Sequence, residues 1–169
     1  QPWLQWQGAE LIDEALNTTR AISNNLMPRV MTDYGLIKGI DTFCKRVNLT
    51  NSVKISFYPA NYTKQDLTLE LILYRVINEL INNTIKHANA TNIHISLGID
   101  NDTVHLIYKD NGIGFNYDRM LNDAKSGIGL KNILSRLRSV NGIIEVNSNT
   151  GKGTEVNIQI KLTDDQENK

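Results

Sequence analysis

The chain has 169 residues, 40% of them hydrophobic and 21% charged, a size that suits one domain or one domain with a helical appendage. Eighteen basic residues balance eighteen acidic ones, which argues against a broad basic surface for nucleic acid or anionic membranes. The single cysteine, Cys44, excludes an intrachain disulfide framework and a cysteine-based zinc site, so the chain fits a reducing compartment. The first residues carry neither Met nor a signal pattern, and we expect an internal start.

The N-terminal quarter predicts a helical arm. From Glu10 to Leu26 the apolar residues recur at three- and four-residue steps, which indicates an amphipathic helix suited to a bundle partner. Pro28 is expected to end it. A second helix is predicted from Gly35 to Val47. Cys44 lies in its apolar stripe, which favours a buried structural thiol over a nucleophile.

The rest of the chain predicts strands grouped around helices, and therefore an α+β two-layer sandwich behind the arm. The first strand is expected to end at Pro59, and two clusters of turn-forming residues predict hairpins. The predicted strands cover Val53 to Tyr58, Ile93 to Ile99, Val104 to Lys109, Ile143 to Asn147 and Glu155 to Leu162, and the predicted helices cover Leu67 to Ala88, Tyr117 to Ala124 and Leu130 to Val140.

The long predicted helix carries a polar stripe. Glu79, Asn83, Lys86 and His87 stand at positions i, i+4, i+7 and i+8 and should share one helical face. Their oxygen atoms suit a hard cation, and their nitrogen donors suit phosphate. A solvated helix face explains the same stripe about equally well.

Three glycine-containing stretches follow the long helix. Asp110-Asn111-Gly112-Ile113-Gly114 comes directly after a strand. Its glycines permit sharp turns, and the carboxylate of Asp110 can accept a hydrogen bond from an exocyclic amine. Ser126-Gly127-Ile128-Gly129-Leu130 opens a helix, whose free N–H groups favour phosphate. Gly151-Lys152-Gly153-Thr154 is not a P-loop, because no helix follows it. Each stretch taken alone is also an ordinary turn or helix cap.

The order and spacing of the four motifs resemble those of the GHKL ATPases, which share the Bergerat fold. That superfamily includes histidine kinases, gyrase, Hsp90 and MutL. The resemblance implies that Asp110 binds the adenine amino group of ATP, with Thr154 nearby. It implies catalytic roles for Asn83, which would hold Mg²⁺, and for Glu79, which would assist it. The other cofactor-binding positions that it implies are Lys86, His87, Gly112, Gly114, Gly127, Gly129 and Leu130.

The N-terminal part of the chain resembles one group within this superfamily. Leu26-Met27-Pro28, Tyr34-Gly35-Leu36 and Gly39-Ile40 are similar to the end of the second dimerisation helix in histidine kinases of the nitrate-sensor/DesK type. The resemblance implies a dimerisation and linker region over 1–48, an ATP-binding catalytic domain over 49–163 and a polar tail over 164–169. It also implies a homodimer through the N-terminal helices, a response regulator as partner and a cytoplasmic place for this domain. Membrane anchoring of the intact kinase stays open.

The expected function is therefore transfer of the ATP γ-phosphoryl group to a histidine. None of the three histidines, His87, His94 and His105, precedes an acidic residue on a helix before Glu10, so the phosphoacceptor is expected to lie elsewhere. An anti-sigma-factor serine kinase is one alternative, but its N-terminus should run straight into the sheet. A nucleotide-binding pseudokinase is the other, although every expected contact residue is present.

Overall fold

The computed structural model describes residues 29–122 and 128–162. The predicted helix from Glu10 to Leu26, its break at Pro28 and the tail after Thr163 lie outside these residues. Five strands form one sheet in the order β1-β2-β3-β5-β4, and the α+β prediction is confirmed. The elements are α1 (Arg29–Thr50), β1 (Lys54–Ala60), α2 (Leu67–Asn83), a π-helix (Thr84–Ala88), β2 (Asn92–Asp100), β3 (Thr103–Asp110), α3 (Tyr117–Asn122), α4 (Ile128–Arg138), β4 (Ile143–Ser148) and β5 (Thr154–Lys161).

The two predicted hairpins are confirmed. β2 and β3 pair antiparallel across Asn101 and Asp102, whose φ angles of 47° and 54° suit the mirror-image turns that match strand twist. β4 and β5 form the second antiparallel pair, while β1 joins the sheet parallel to β2. Alternate residues of the strands point into the core, because side chains in a strand alternate between the two faces.

The prediction that the first strand ends at Pro59 is wrong, because β1 continues to Ala60. β1 pairs only with β2 and is an edge strand, where a residue without an N–H is tolerated. The second predicted helix is also longer than expected, because α1 begins at Arg29 and ends at Thr50. Gly35 interrupts it with φ 80° and ψ 177°, a conformation that favours glycine.

Helix α1 packs into the same core as the sheet. Its buried apolar side chains belong to one cluster with those of β2 and β3, and Cys44, which is 3% exposed, is among them. The prediction of a buried structural thiol is confirmed, and burial raises the pKa of Cys44 to about 12. The buried members contributed by α1 are Met31, Leu36, Ile40, Phe43, Cys44 and Val47.

Helix α2 begins where predicted, after Asp66, whose side chain caps it by accepting the N–H groups of Thr68 and Leu69. It does not continue as an α-helix to Ala88, because Thr84–Ala88 is a π-helix. The wider turn changes the angular spacing along the helix, so Lys86 and His87 need not share the stripe that the α-helical count predicted. α4 begins two residues earlier than predicted and ends at Arg138 rather than Val140. No helix in residues 29–122 or 128–162 has the length and apolarity required to span a membrane.

Candidate functional site

Asp110 is held at the end of β3 by hydrogen bonds from two different elements. Its Oδ1 accepts the N–H of Gly112 at 2.8 Å, and its Oδ2 accepts the hydroxyl of Thr84 at 3.0 Å. The side chain is half-buried. The carboxylate is therefore fixed by the loop after β3 and by the first residue of the π-helix.

Behind Asp110 lies a buried tyrosine. The hydroxyl of Tyr108 is 2.6 Å from Oγ1 of Thr84 and 3.3 Å from the carbonyl oxygen of Leu80. Tyr108 is 1% exposed and Thr84 is 5% exposed. Burial, reinforced by the charge of Asp110, raises the pKa of Tyr108 well above its usual range, so the phenol keeps its proton.

Thr154 stands directly beside Asp110, because the two are register partners between β3 and β5. Ser148 is the next partner in β4, and its Oγ lies 3.0 Å from Oγ1 of Thr154. Ser148 also accepts the N–H of Phe115 at 2.9 Å and donates to the carbonyl of Gly153 at 3.1 Å. Three polar side chains therefore stand in a row across neighbouring strands.

The glycine loop after Asp110 is fastened to the π-helix and to the β4–β5 hairpin. The N–H of Ile113 donates to the carbonyl of Ala88 at 2.8 Å, and the N–H of Gly151 donates to the carbonyl of Ile113 at 2.6 Å. A Cβ on Gly112 would overlap the Ala88 carbonyl, and one on Gly114 would lie 2.7 Å from the Gly153 carbonyl. Any larger residue at these two positions would push the loop away from its neighbours.

Glu79 and Asn83 meet at Gly129. A Cβ on Gly129 would overlap Oε1 of Glu79 and would lie 3.0 Å and 3.1 Å from the amide atoms of Asn83. The glycine in α4 thus lets this helix approach the polar edge of α2. A carboxylate and an amide oxygen are ligands that suit a hard divalent cation, particularly together with phosphate oxygens. Asn82 and Asn83 are both half-buried, so exposure does not distinguish them, whereas the contact with Gly129 points to Asn83.

The remaining predicted positions differ in exposure. Lys86 and His87 are exposed on the π-helix, and Leu130 is buried. Gly127 lies outside the described residues. In the part of the chain that the structure describes, no three His, Cys, Asp or Glu side chains cluster as a metal site. His94, exposed on β2, stacks on Tyr58.

Three residues of this arrangement were not predicted as functional. Thr84 follows Asn83 directly and stands four residues after Leu80, a spacing that is typical of a core position. Tyr108 precedes Asp110 by two residues in a strand and therefore points to the same face, which was a usable signal. Ser148 could not be found from its sequence neighbours, because its partners come from β5 and from the loop at Phe115.

A cavity of about 300 Å³ opens at the same end of the sheet. Its lining combines Asp110 and Thr154 with Lys109 and Glu155, which form a salt bridge of 3.1 Å. Neither Glu79 nor Asn83 lines this cavity.

Comparisons with known proteins identify the family. The family model of histidine kinase-, DNA gyrase B- and HSP90-like ATPases matches residues 68–164. The chain is 29% identical over 154 residues to the sensor histidine kinase ComP of Bacillus subtilis, covering 90% of this chain and 20% of that protein. It is 26% identical over 157 residues to the oxygen sensor histidine kinase NreB of Staphylococcus carnosus, covering 91% and 44%. The chain thus spans less than half the length of these relatives.

Solved structures show the same fold. The blue-light activated histidine kinase of Erythrobacter litoralis superposes with a TM-score of 0.63 at 15% identity, over 75% of this chain and 42% of that one. The histidine kinase AdeS of Acinetobacter baumannii superposes with a TM-score of 0.59 at 16% identity, over 92% and 81%.

Proposed function

Because the chain belongs to the family of histidine kinase-, DNA gyrase B- and HSP90-like ATPases, we propose that it is the ATP-binding catalytic part of a sensor histidine kinase. The observation that carries the proposal is the carboxylate of Asp110, which is tethered on both oxygens and stands beside Thr154. An acceptor-only group in this position suits the amino group of adenine. The relatives named above are sensor histidine kinases, which favours this branch of the family.

The phosphate end of the nucleotide is assigned to α2 and its surroundings. Asn83, assisted by Glu79, would hold Mg²⁺, which would supply charge neutralisation for the phosphoryl oxygens. Lys86 and His87 are exposed cationic or donor groups on the π-helix and would face the phosphates. Gly129 supports the assignment because it leaves room at Glu79 and Asn83. In this mechanism the protein positions the groups and stabilises charge, and forms no covalent bond to the nucleotide.

The partners of the intact protein are part of the same proposal. The γ-phosphoryl group would pass to a histidine on a helix outside this catalytic region, and then to an aspartate of a response regulator. The chain would dimerise through its N-terminal helices, with this domain in the cytoplasm. We propose that the dimerisation region and the catalytic domain divide at 48/49, near the C-terminal end of α1, the linker helix that packs onto the catalytic core.

Titration with a fluorescent ATP analogue in the presence of Mg²⁺ tests the proposed function. The wild-type chain should bind, and Asp110→Asn should not, because its amide NH₂ would oppose one of the donors that now hold the carboxylate. Asp100→Asn is the matched control, since this exposed residue lies at the opposite end of the same hairpin. Unchanged affinity of Asp110→Asn would overturn the adenine assignment, and no binding by the wild-type chain would overturn the proposed function.

Phosphoryl transfer is tested separately. The chain is incubated with γ-labelled ATP and a helical domain that carries a His-Asp or His-Glu acceptor. We expect acid-labile label on the acceptor and none when Asp110→Asn replaces the wild-type chain. Binding of ATP without any labelling of such acceptors would favour the pseudokinase alternative.

A further inference from the structure

A buried series of hydroxyl groups ends on the carboxylate of Asp110. The hydroxyl of Tyr108 lies 2.6 Å from Oγ1 of Thr84, and Oγ1 of Thr84 lies 3.0 Å from Oδ2 of Asp110. Tyr108 and Thr84 are almost completely buried, so water does not compete strongly for these bonds. The two hydroxyl groups come from different layers, because Tyr108 belongs to the sheet and Thr84 to the π-helix.

The protons of this series have one consistent direction. A carboxylate only accepts hydrogen bonds, so the hydroxyl of Thr84 donates to Oδ2 of Asp110. The oxygen of Thr84 is then free to accept from Tyr108. The alternative acceptor for Tyr108, the carbonyl of Leu80, is more distant at 3.3 Å and already accepts the backbone N–H of Thr84. Burial keeps Tyr108 protonated, which makes it a permanent donor.

The series fixes the carboxylate before any ligand arrives. Oδ2 is held by Thr84 and Oδ1 by the N–H of Gly112, so the carboxylate cannot turn without losing a bond. Its remaining lone pairs can accept an amino group, whereas a 6-oxo group in the same place would bring two acceptors together. A receptor group that is already oriented loses less conformational entropy on binding.

We infer that Thr84 and Tyr108 are positioning residues that set the specificity of this site for purine nucleotides with a 6-amino group. The inference rests on the proposed function only in the assignment of adenine to Asp110. Neither residue touches the nucleotide in this scheme. Both act through the orientation of the carboxylate.

The test compares two ligands, ATP and purine riboside 5′-triphosphate, which has hydrogen in place of the 6-amino group. Thr84→Val keeps the shape of the side chain and removes the donor, and should weaken ATP binding about tenfold. The same variant should change the affinity for purine riboside triphosphate less than about twofold, because that ligand makes no bond to the carboxylate. Thr84→Ser restores the hydroxyl and should restore most of the affinity for ATP. Thr68→Val, on the exposed start of α2, is the control for the substitution itself.

Tyr108→Phe tests the second link of the series. It removes the donor to Thr84 while the ring remains, and should weaken ATP binding about threefold. In the Thr84→Val background the added Tyr108→Phe change should have no further effect on ATP affinity, because the bond between the two hydroxyl groups is already lost. This non-additivity distinguishes a hydroxyl series from two independent contributions.

The outcomes separate the inference from the proposed function. Failure of the wild-type chain to bind ATP would remove the proposed function itself. Normal ATP binding by Thr84→Val, or equal losses for both ligands, would overturn the inference and leave the proposed function intact. Should Thr84→Val fail to fold, as judged by thermal unfolding, Tyr108→Phe decides the question through the same comparison of ligands. Equal losses for both ligands in Tyr108→Phe would overturn the inference as well.

Discussion

Replacing Gly153 with alanine should destabilise the end of the sheet and weaken nucleotide binding at the same time. Gly153 has φ +72°, in the left-handed region, which costs an L-residue about 1–2 kcal/mol. An added Cβ would also overlap the carbonyl oxygen of Asp110 and would lie 3.3 Å from Cα of Asn111. These neighbours are backbone atoms and cannot move aside as a side chain could. A further loss of about 1–3 kcal/mol is therefore expected from overpacking.

A matched control lies two residues away. Gly151 has φ +83°, but no atom lies within 4 Å of its virtual Cβ. Gly151→Ala should therefore show only the conformational cost, about 1–2 kcal/mol. The difference between the two variants isolates the contact with Asp110.

Urea unfolding measures both free energies, provided that the slopes agree with that of the wild-type chain. Gly153→Ala should lose about 2–5 kcal/mol in total, which is a large share of the stability of a typical domain. Under conditions where both variants are folded, Gly153→Ala should bind ATP more weakly because Asp110 is displaced, and Gly151→Ala should bind within about twofold of the wild-type chain. Equal destabilisation by the two variants would show that the contact with Asp110 carries no cost.

Three further outcomes are expected. Gly129→Ala should lower Mg²⁺-dependent ATP affinity by about tenfold with little change in the unfolding free energy, because its Cβ would displace the side chains of Glu79 and Asn83. If the ATP affinity measured over a titration with Mg²⁺ were the same as that of the wild-type chain, this reasoning would be contradicted. Cys44 should resist a thiol reagent at pH 8 in the folded chain and react fully in urea, and rapid labelling of the folded chain would contradict its burial. Because the pKa of Cys44 in the folded chain, about 12, exceeds the usual 9.0, its contribution to the free energy of unfolding is complete below pH 9 and declines from there to about pH 12. With γ-labelled ATP alone, the chain should gain no acid-labile phosphohistidine, and label on any of its three histidines would refute the expected location of the acceptor.

The sequence was most informative where local pattern and local structure coincide. The hairpin between β2 and β3 and the start of α2 at Leu67 depend on neighbours in the chain, and both were predicted correctly. Pro59 was misread because its effect depends on whether the strand is at an edge. That property follows from the strand order of the sheet, which no local pattern contains.

In the candidate site, too, features of local sequence were predictable and features that depend on tertiary structure were not. Asp110 and the glycines around it were visible as a motif, and so was the helical spacing of Glu79 and Asn83. The π-helix was not, since Thr84–Ala88 carries no residue that interrupts an α-helical pattern. The spacing of Thr84 from Leu80 favours a core position, while its hydroxyl meets Tyr108 and Asp110, which belong to the sheet.

The π-helix also determines which genetic changes this region can accept. A π turn holds one residue more than an α turn, because its hydrogen bonds join residues i and i+5 instead of i and i+4. Removing one residue within Thr84–Ala88, so that the segment became α-helical, should therefore leave the chain after the deletion pointing in nearly the same direction. The carbonyl of Ala88 would then still meet the N–H of Ile113. An added residue has no wider turn to accommodate it, and would rotate everything after it by about 100° around the helix axis, so that the glycine loop would lose its attachment. This segment should therefore accept a single-codon deletion far better than a single-codon insertion.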